Sequence, residues 1–216
     1  MSKLIHTLVV AALVAAPAAA LPALAQHAGH EAPATTQAPA PKLQAAMRSL
    51  WHGHIVHTRA YANAVHADNT AGARKAADAV VANAKQISDA VAGFYGKPGG
   101  EQMLTLLAGH WGAVKQLTDA RANRDEAAAN AAMTDLTANA GAIATFLAGA
   151  NPNLPEADVR GLLVGHGAHH AQQIRQVMAG DRKGEADTWA AMQQHMDTIA
   201  DALAAAIAKQ FPDKAT

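Results

Sequence analysis

From Leu43 onward the chain matches itself, without a gap, at a shift of 56 residues. Leu50 falls on Leu106 and Leu162, Gly53 on Gly109 and Gly165, and His54 on His110 and His166. Further along, Val80 matches Leu136 and Met192, Ile87 matches Ile143 and Ile199, and Val91 matches Leu147 and Leu203. Asn83 and Asn139 coincide, and the third copy at that place is His195. Self-similarity at a fixed period marks a chain assembled from one supersecondary unit. Alanines align by chance in so alanine-rich a chain. A Gly-His pair recurring three times in register does not.

Each unit reads as two helices. The sequence is rich in helix formers and is broken near His66–Thr70, Gly93–Gly100, Asn123–Asp125, Ala150–Pro155 and Gly180–Gly184. Gly93 followed by Pro98, Asn151-Pro152 and Gly180 are plain terminators. Helices are predicted over about 43–67, 71–92, 101–122, 126–149, 156–179 and 185–210. The expected fold is all-α: three tandem αα-hairpins (43–98, 99–154 and 155–210) forming a compact up-and-down six-helix bundle over 43–212. Closure of the hairpins into a bundle and a linear stack both satisfy the repeat.

Apolar stripes at helical spacing define the face of each helix that meets the core. In all six helices one polar residue interrupts the stripe: His54, Asn83, His110, Asn139, His166 and His195. Paired helices carry these residues at equal distances from the turn that joins them. In an up-and-down arrangement equal counts mean equal height, because each residue rises about 1.5 Å. The histidines and asparagines therefore belong in one inward-facing layer. A glycine precedes the histidine in each repeat. A mid-helix glycine costs about 1 kcal/mol relative to alanine, so its recurrence indicates a close approach there or space for a ligand.

A buried neutral imidazole needs partners for both nitrogens or it costs a few kcal/mol. Two arrangements provide them. In one, His54, His110, His166 and His195 bind a metal ion, and Asn83 and Asn139 orient their ring N–H groups. In the other, the layer is a His–Asn hydrogen-bond network in a structural or small-ligand-binding bundle. His57, His169 and His170 lie one turn beyond the layer, where they either extend the site or stand half-exposed beside it. Thr58, Arg59 and Tyr95 add polar groups nearby. The chain has 12 histidines and no cysteine, which removes thiolate ligands, thiol nucleophiles and covalent haem attachment. The stripes hold no glutamate, so a di-iron carboxylate site is not expected. All-imidazole ligation points to a divalent transition metal, Cu, Zn or Ni. No serine or threonine recurs beside a stripe histidine and no acidic pair is present, so no residue is assigned a catalytic role.

The first residues carry Lys3, an apolar run and Ala23-Leu24-Ala25, the form of a secretory signal peptide over 1–25. Export to the periplasm or outside the cell is expected. A Pro/Ala-rich tether follows over 26–42, expected to be disordered, with His27 and His30 as loose metal contacts at most. Acidic and basic residues number 17 each and are well mixed, so neither nucleic acid nor a charged membrane surface is an expected partner. No downstream segment is apolar for long enough to anchor the chain in a bilayer.

At LWHGHIVHTR, AVAGFYG, FLAGANPNLP and AIAKQFPDK the chain resembles a family of exported bacterial α-helical proteins of unassigned function. The resemblance runs over most of residues 46–214. It implies histidines at positions 54, 110, 166 and 195, asparagines at Asn83 and Asn139, and the group Thr58, Arg59 and Tyr95. The chain departs from the family at His57, where a tryptophan is expected, and at Val164, where a histidine is expected.

Overall fold

The structure, a computed structural model, describes residues 40–215. The expected signal peptide, His27, His30 and nearly all of the expected tether lie outside the described residues. Five helices make up the fold: α1 (Pro41–His66), α2 (Thr70–Ala122), α3 (Glu126–Ala150), α4 (Glu156–Ala179) and α5 (Arg182–Gln210). Helix α1 starts with Pro41, a residue whose fixed φ and missing N–H suit a helix start. The last two residues of the expected tether are thus helical.

The count of six helices is corrected to five. The loop expected at 93–100 is absent, and helix runs through it with one interruption, Gly96 at φ 76° and ψ 172°. Only glycine takes that backbone conformation without strain. It turns the chain back on itself: Ser88 Oγ donates to the Gly100 carbonyl at 2.8 Å across a separation of 12 residues. On a straight helix those residues would stand about 18 Å apart. Helix α2 therefore has two arms, one on each side of Gly96. Pro98 opens the second arm, where a missing N–H costs nothing.

Three turns at the opposite end of the bundle from Gly96 are built bond for bond alike. Asp68, Arg124 and Gly180 take left-handed φ values of 52°, 56° and 70°. Their N–H groups donate to Val65, Arg121 and Val177. The next residues, Asn69, Asp125 and Asp181, donate to the carbonyls of Ala64, Ala120 and Gln176. Their side chains then cap the following helix by accepting from Gly72, Ala128 and Gly184. Such caps contribute about 1 kcal/mol each.

Helix α5 packs on α1 as well as on α4, so the first and last helices meet and the bundle closes. Arg48 grips Asp201 through two bonds of 2.8 and 2.6 Å, and His52 meets Asp197 at 2.8 Å. Arg59 holds Glu185 through two bonds of 2.6 and 2.7 Å, and its guanidinium lies over Trp189. At the Gly96 end, Asn151 donates to the Tyr95 hydroxyl, which donates to Gln210, which in turn donates to the Ala150 carbonyl. The FYG, ANP and QFP stretches thus form one latch.

The core falls into two apolar clusters. Met47, Val91, Met103, Leu147 and Ile199 belong to the one nearer Gly96, and Ala62, Val114, Leu117, Ile174 and Val177 to the one nearer the hairpin turns. The layer histidines lie where the two meet. Among the described residues no helix is long and apolar enough to cross a membrane.

Candidate metal centre

Three rings from equivalent positions form a nearly equilateral triangle. The ring centres of His54 on α1, His110 on the second arm of α2 and His166 on α4 stand 5.4, 5.6 and 5.6 Å apart. His170 caps the triangle, with its centre 5.6, 5.7 and 4.4 Å from those of His54, His110 and His166. One nitrogen from each of the four lies within 4.8 Å of the others, and all four side chains are buried. A tetrahedral centre with metal–nitrogen bonds of about 2.0–2.1 Å places its ligand nitrogens about 3.3 Å apart and its ring centres about 5 Å apart. The observed spacing needs adjustments of about an ångström to reach it, within reach of side-chain rotation.

The polar bookkeeping of the cluster is incomplete within the protein. The Nε2 atoms of His166 and His170 are 3.0 Å apart and share a proton in one tautomer. Neither nitrogen of His110 has a hydrogen-bond partner in the protein, and His166 Nδ1 has none. Leaving such groups unpaired costs about 1–3 kcal/mol each. Burial also holds the rings neutral. It pushes His54 down to about 3, with the charges of His110 and His57 adding to the effect. It pushes His110 down to about 4, opposed by the nearby Asn139 side chain. Burial first, then the neighbouring imidazoles, puts His166 and His170 well below the usual histidine range. Four uncharged imidazoles with available lone pairs converge on one point, which is the state a metal ion binds.

The fourth histidine is not the expected one. His195 is half-buried and outside the cluster, and its Nε2 meets the Leu162 carbonyl at 2.8 Å. Asn83 and Asn139 donate in the same way to the Leu50 and Leu106 carbonyls, both at 3.0 Å. The three residues at this repeat position do one job, binding a helix carbonyl in the partner helix of their own hairpin. That alignment was the signal that separates His195 from the other histidines. His170 occupies the position of Thr58 and Val114 in the other repeats, all buried. A helical side chain tilts toward the N-terminus of its helix, so the His170 ring reaches back to the level of His166.

The repeated glycines are explained by the same bonds. A Cβ at Gly53 would stand 2.8 Å from Asn83 Nδ2, one at Gly109 3.0 Å from Asn139 Nδ2, and one at Gly165 3.3 Å from His195. Each glycine leaves the place where the crossing side chain reaches its carbonyl. The Oδ1 atoms of Asn83 and Asn139 have no hydrogen-bond partner in the protein. Neither oxygen reaches a ring nitrogen in hydrogen-bond geometry, although the Asn139 side chain lies close enough to His110 to oppose the effect of burial on it.

The remaining candidates lie off the cluster. His57 and His169 are half-buried beside it, and the His169 ring centre is 5.2 Å from that of His195. The Thr58 hydroxyl is spent on the carbonyls of its own helix, at His54 and Ile55. Arg59 is committed to Glu185, and Tyr95 to the latch at the bundle end. Sequence reasoning passed over Trp51, whose buried Nε1 is unpaired in the protein and whose ring lies edge-on to His54 at 6.3 Å.

Fold and site together define a closed all-helical bundle with a buried four-histidine cluster at its centre. Comparison with family models, with curated proteins and with solved structures returned no match.

Proposed function

We propose that the protein binds one divalent transition-metal ion in the bundle core, through His54, His110, His166 and His170, and serves in metal binding, storage or homeostasis outside the cytoplasm. The convergence of four buried, neutral imidazoles carries this reading. A hydrogen-bond network is the weaker account, because even with the Asn139 oxygen accepting from one nitrogen of His110 it leaves the other without a donor. An ion would satisfy one nitrogen of each ring, and the free amide oxygens of Asn83 and Asn139 supply acceptors for ring N–H groups. Imidazole ligands favour Cu, Zn or Ni over Mg or Ca, and Cu(II) binds most tightly among the divalent ions of this series. The three-hairpin construction belongs to the same proposal. It supplies the triangle from one recurring position, and the matching turns and carbonyl bonds support it.

Protein purified without an affinity tag tests this. It is expected to hold about one ion per chain by elemental analysis and to melt at higher temperature when Cu(II), Zn(II) or Ni(II) is added. His110→Asn and His170→Asn are expected to fold and to lose metal affinity by about 10-fold or more. A melting curve indifferent to all three metals refutes the proposal.

A further inference from the structure

The four ligands do not surround the site evenly. An apolar chamber lies against His54, His110 and His166, but His170 is not among its lining residues. The other walls identify which side of the triangle it occupies. Trp51, Leu107 and Leu163 precede their helices' layer histidines, on the side toward the Gly96 end of the bundle. His170 follows His166 by one turn, on the side toward the hairpin turns. The chamber and His170 therefore sit on opposite faces of the triangle.

Size and lining restrict what the chamber can take. Its narrow interior has room for about two molecules the size of water. Apart from the histidine edges, the Trp51 indole and the Met196 thioether, its walls are hydrocarbon, Ile143, Ile199 and Leu203 among them. Such a cavity excludes ions by their desolvation cost and holds water poorly. A second apolar cavity shares Trp51, Leu147, Leu154 and Leu203 with the first and continues toward Tyr95 and Ile207 at the bundle end.

We propose that a metal held by the four histidines takes a small uncharged diatomic ligand, of the class of carbon monoxide, nitric oxide and dioxygen, on the face of the histidine triangle opposite His170. The inference rests on the metal-site reading above. His54, His110 and His166 would hold the ion at the edge of the chamber, and Cu(I), which accepts four two-electron donors, would exchange His170 for the ligand on the chamber side. The ligand's lone pair would coordinate there while its far end lies among the apolar walls. With carbon monoxide, binding of this kind is reversible coordination with no change of oxidation state.

Carbon monoxide on protein loaded with Cu(I) under anaerobic conditions is the test. The expected result is a single narrow C–O stretching band in the infrared, arising from one bound molecule per copper. Ala140 and Ala202 line the chamber without belonging to the histidine cluster. Ala140→Leu fills it, and the half-buried Ala202→Leu does so with less risk to the fold. Each is expected to keep one copper per chain and to lose the band, or to need roughly 10-fold more gas to reach it. Azide added to the Cu(II)-loaded protein is expected to give no charge-transfer band, because the anion is excluded. Copper bound with no carbonyl band, a band unaltered in both filled variants, or an azide band each overturns the inference and leaves the metal site standing. Failure of the wild-type chain to hold copper overturns the inference, and failure to hold zinc and nickel as well overturns the metal site too.

Discussion

Lowering the pH from 7.5 to 5.0 should strip the metal-free protein of a large part of its stability. His54, His110, His166 and His170 are each at most 6% exposed. Their folded-state values lie below the ordinary 6.5, at about 3 for His54 and about 4 for His110. Between 6.5 and those values the unfolded chain binds protons that the folded chain does not, so stability falls as pH falls. At pH 5 the difference amounts to about 2 kcal/mol for each imidazole that stays neutral in the fold. His54 and His110 together account for about 4 kcal/mol, against a total of about 5–15 for a typical domain, and His166 and His170, lowered by burial and by the neighbouring imidazoles, act in the same direction. The partly buried His169 acts in the same direction. The carboxylates of Glu156, Glu185 and Asp201 are held below their ordinary values of 4.5 and 3.8, so their contribution is lost below this window. Urea unfolding of chelator-treated protein, followed by circular dichroism at the two pH values, measures the loss. His110→Leu should reduce it by about 2 kcal/mol, because one proton site is gone. A change below about 1 kcal/mol in the wild-type chain would falsify the picture of four neutral buried imidazoles. A metal held as proposed should by the same shifts stay bound down to the pH at which the protein unfolds, so its release should coincide with loss of helix.

His195→Asn should keep one metal ion per chain, because asparagine makes the same carbonyl bond at two other positions; elemental analysis showing a loss like that of His170→Asn would restore His195 as a ligand. Gly53→Ala gains about 1 kcal/mol of helix propensity. Its Cβ would stand 2.8 Å from Nδ2 of the buried Asn83 and displace that amide from the Leu50 carbonyl, at a cost of about 1–3 kcal/mol for a buried group left unpaired. Thermal melting should therefore show a net destabilisation, whereas an exposed Gly149→Ala should stabilise. Intact mass of protein recovered from the periplasm or medium should place the mature N-terminus at Gln26, and retention of residues 1–25 there would count against export.

Helix positions were legible in the sequence because they depend on local chemistry. Gly180 ends α4 where expected, and the observed 126–150 and 156–179 helices sit within a residue of the expected ones. The histidine triangle was legible as well. The 56-residue match predicts the same height and the same face for His54, His110 and His166, and closure of the bundle then brings the three rings together. Tertiary structure decided the rest. At Gly96 a single left-handed residue did the work expected of a loop, because the arms of α2 approach closely enough for Ser88 to bond to the Gly100 carbonyl. Between His170 and His195, spacing along the chain sets height and face but not reach. The His195 ring is taken by the Leu162 carbonyl of the facing helix, while the tilt of the His170 side chain brings its ring back over the triangle. Which imidazole completes the cluster depends on the distance between helices, and that distance is set by packing of the whole bundle.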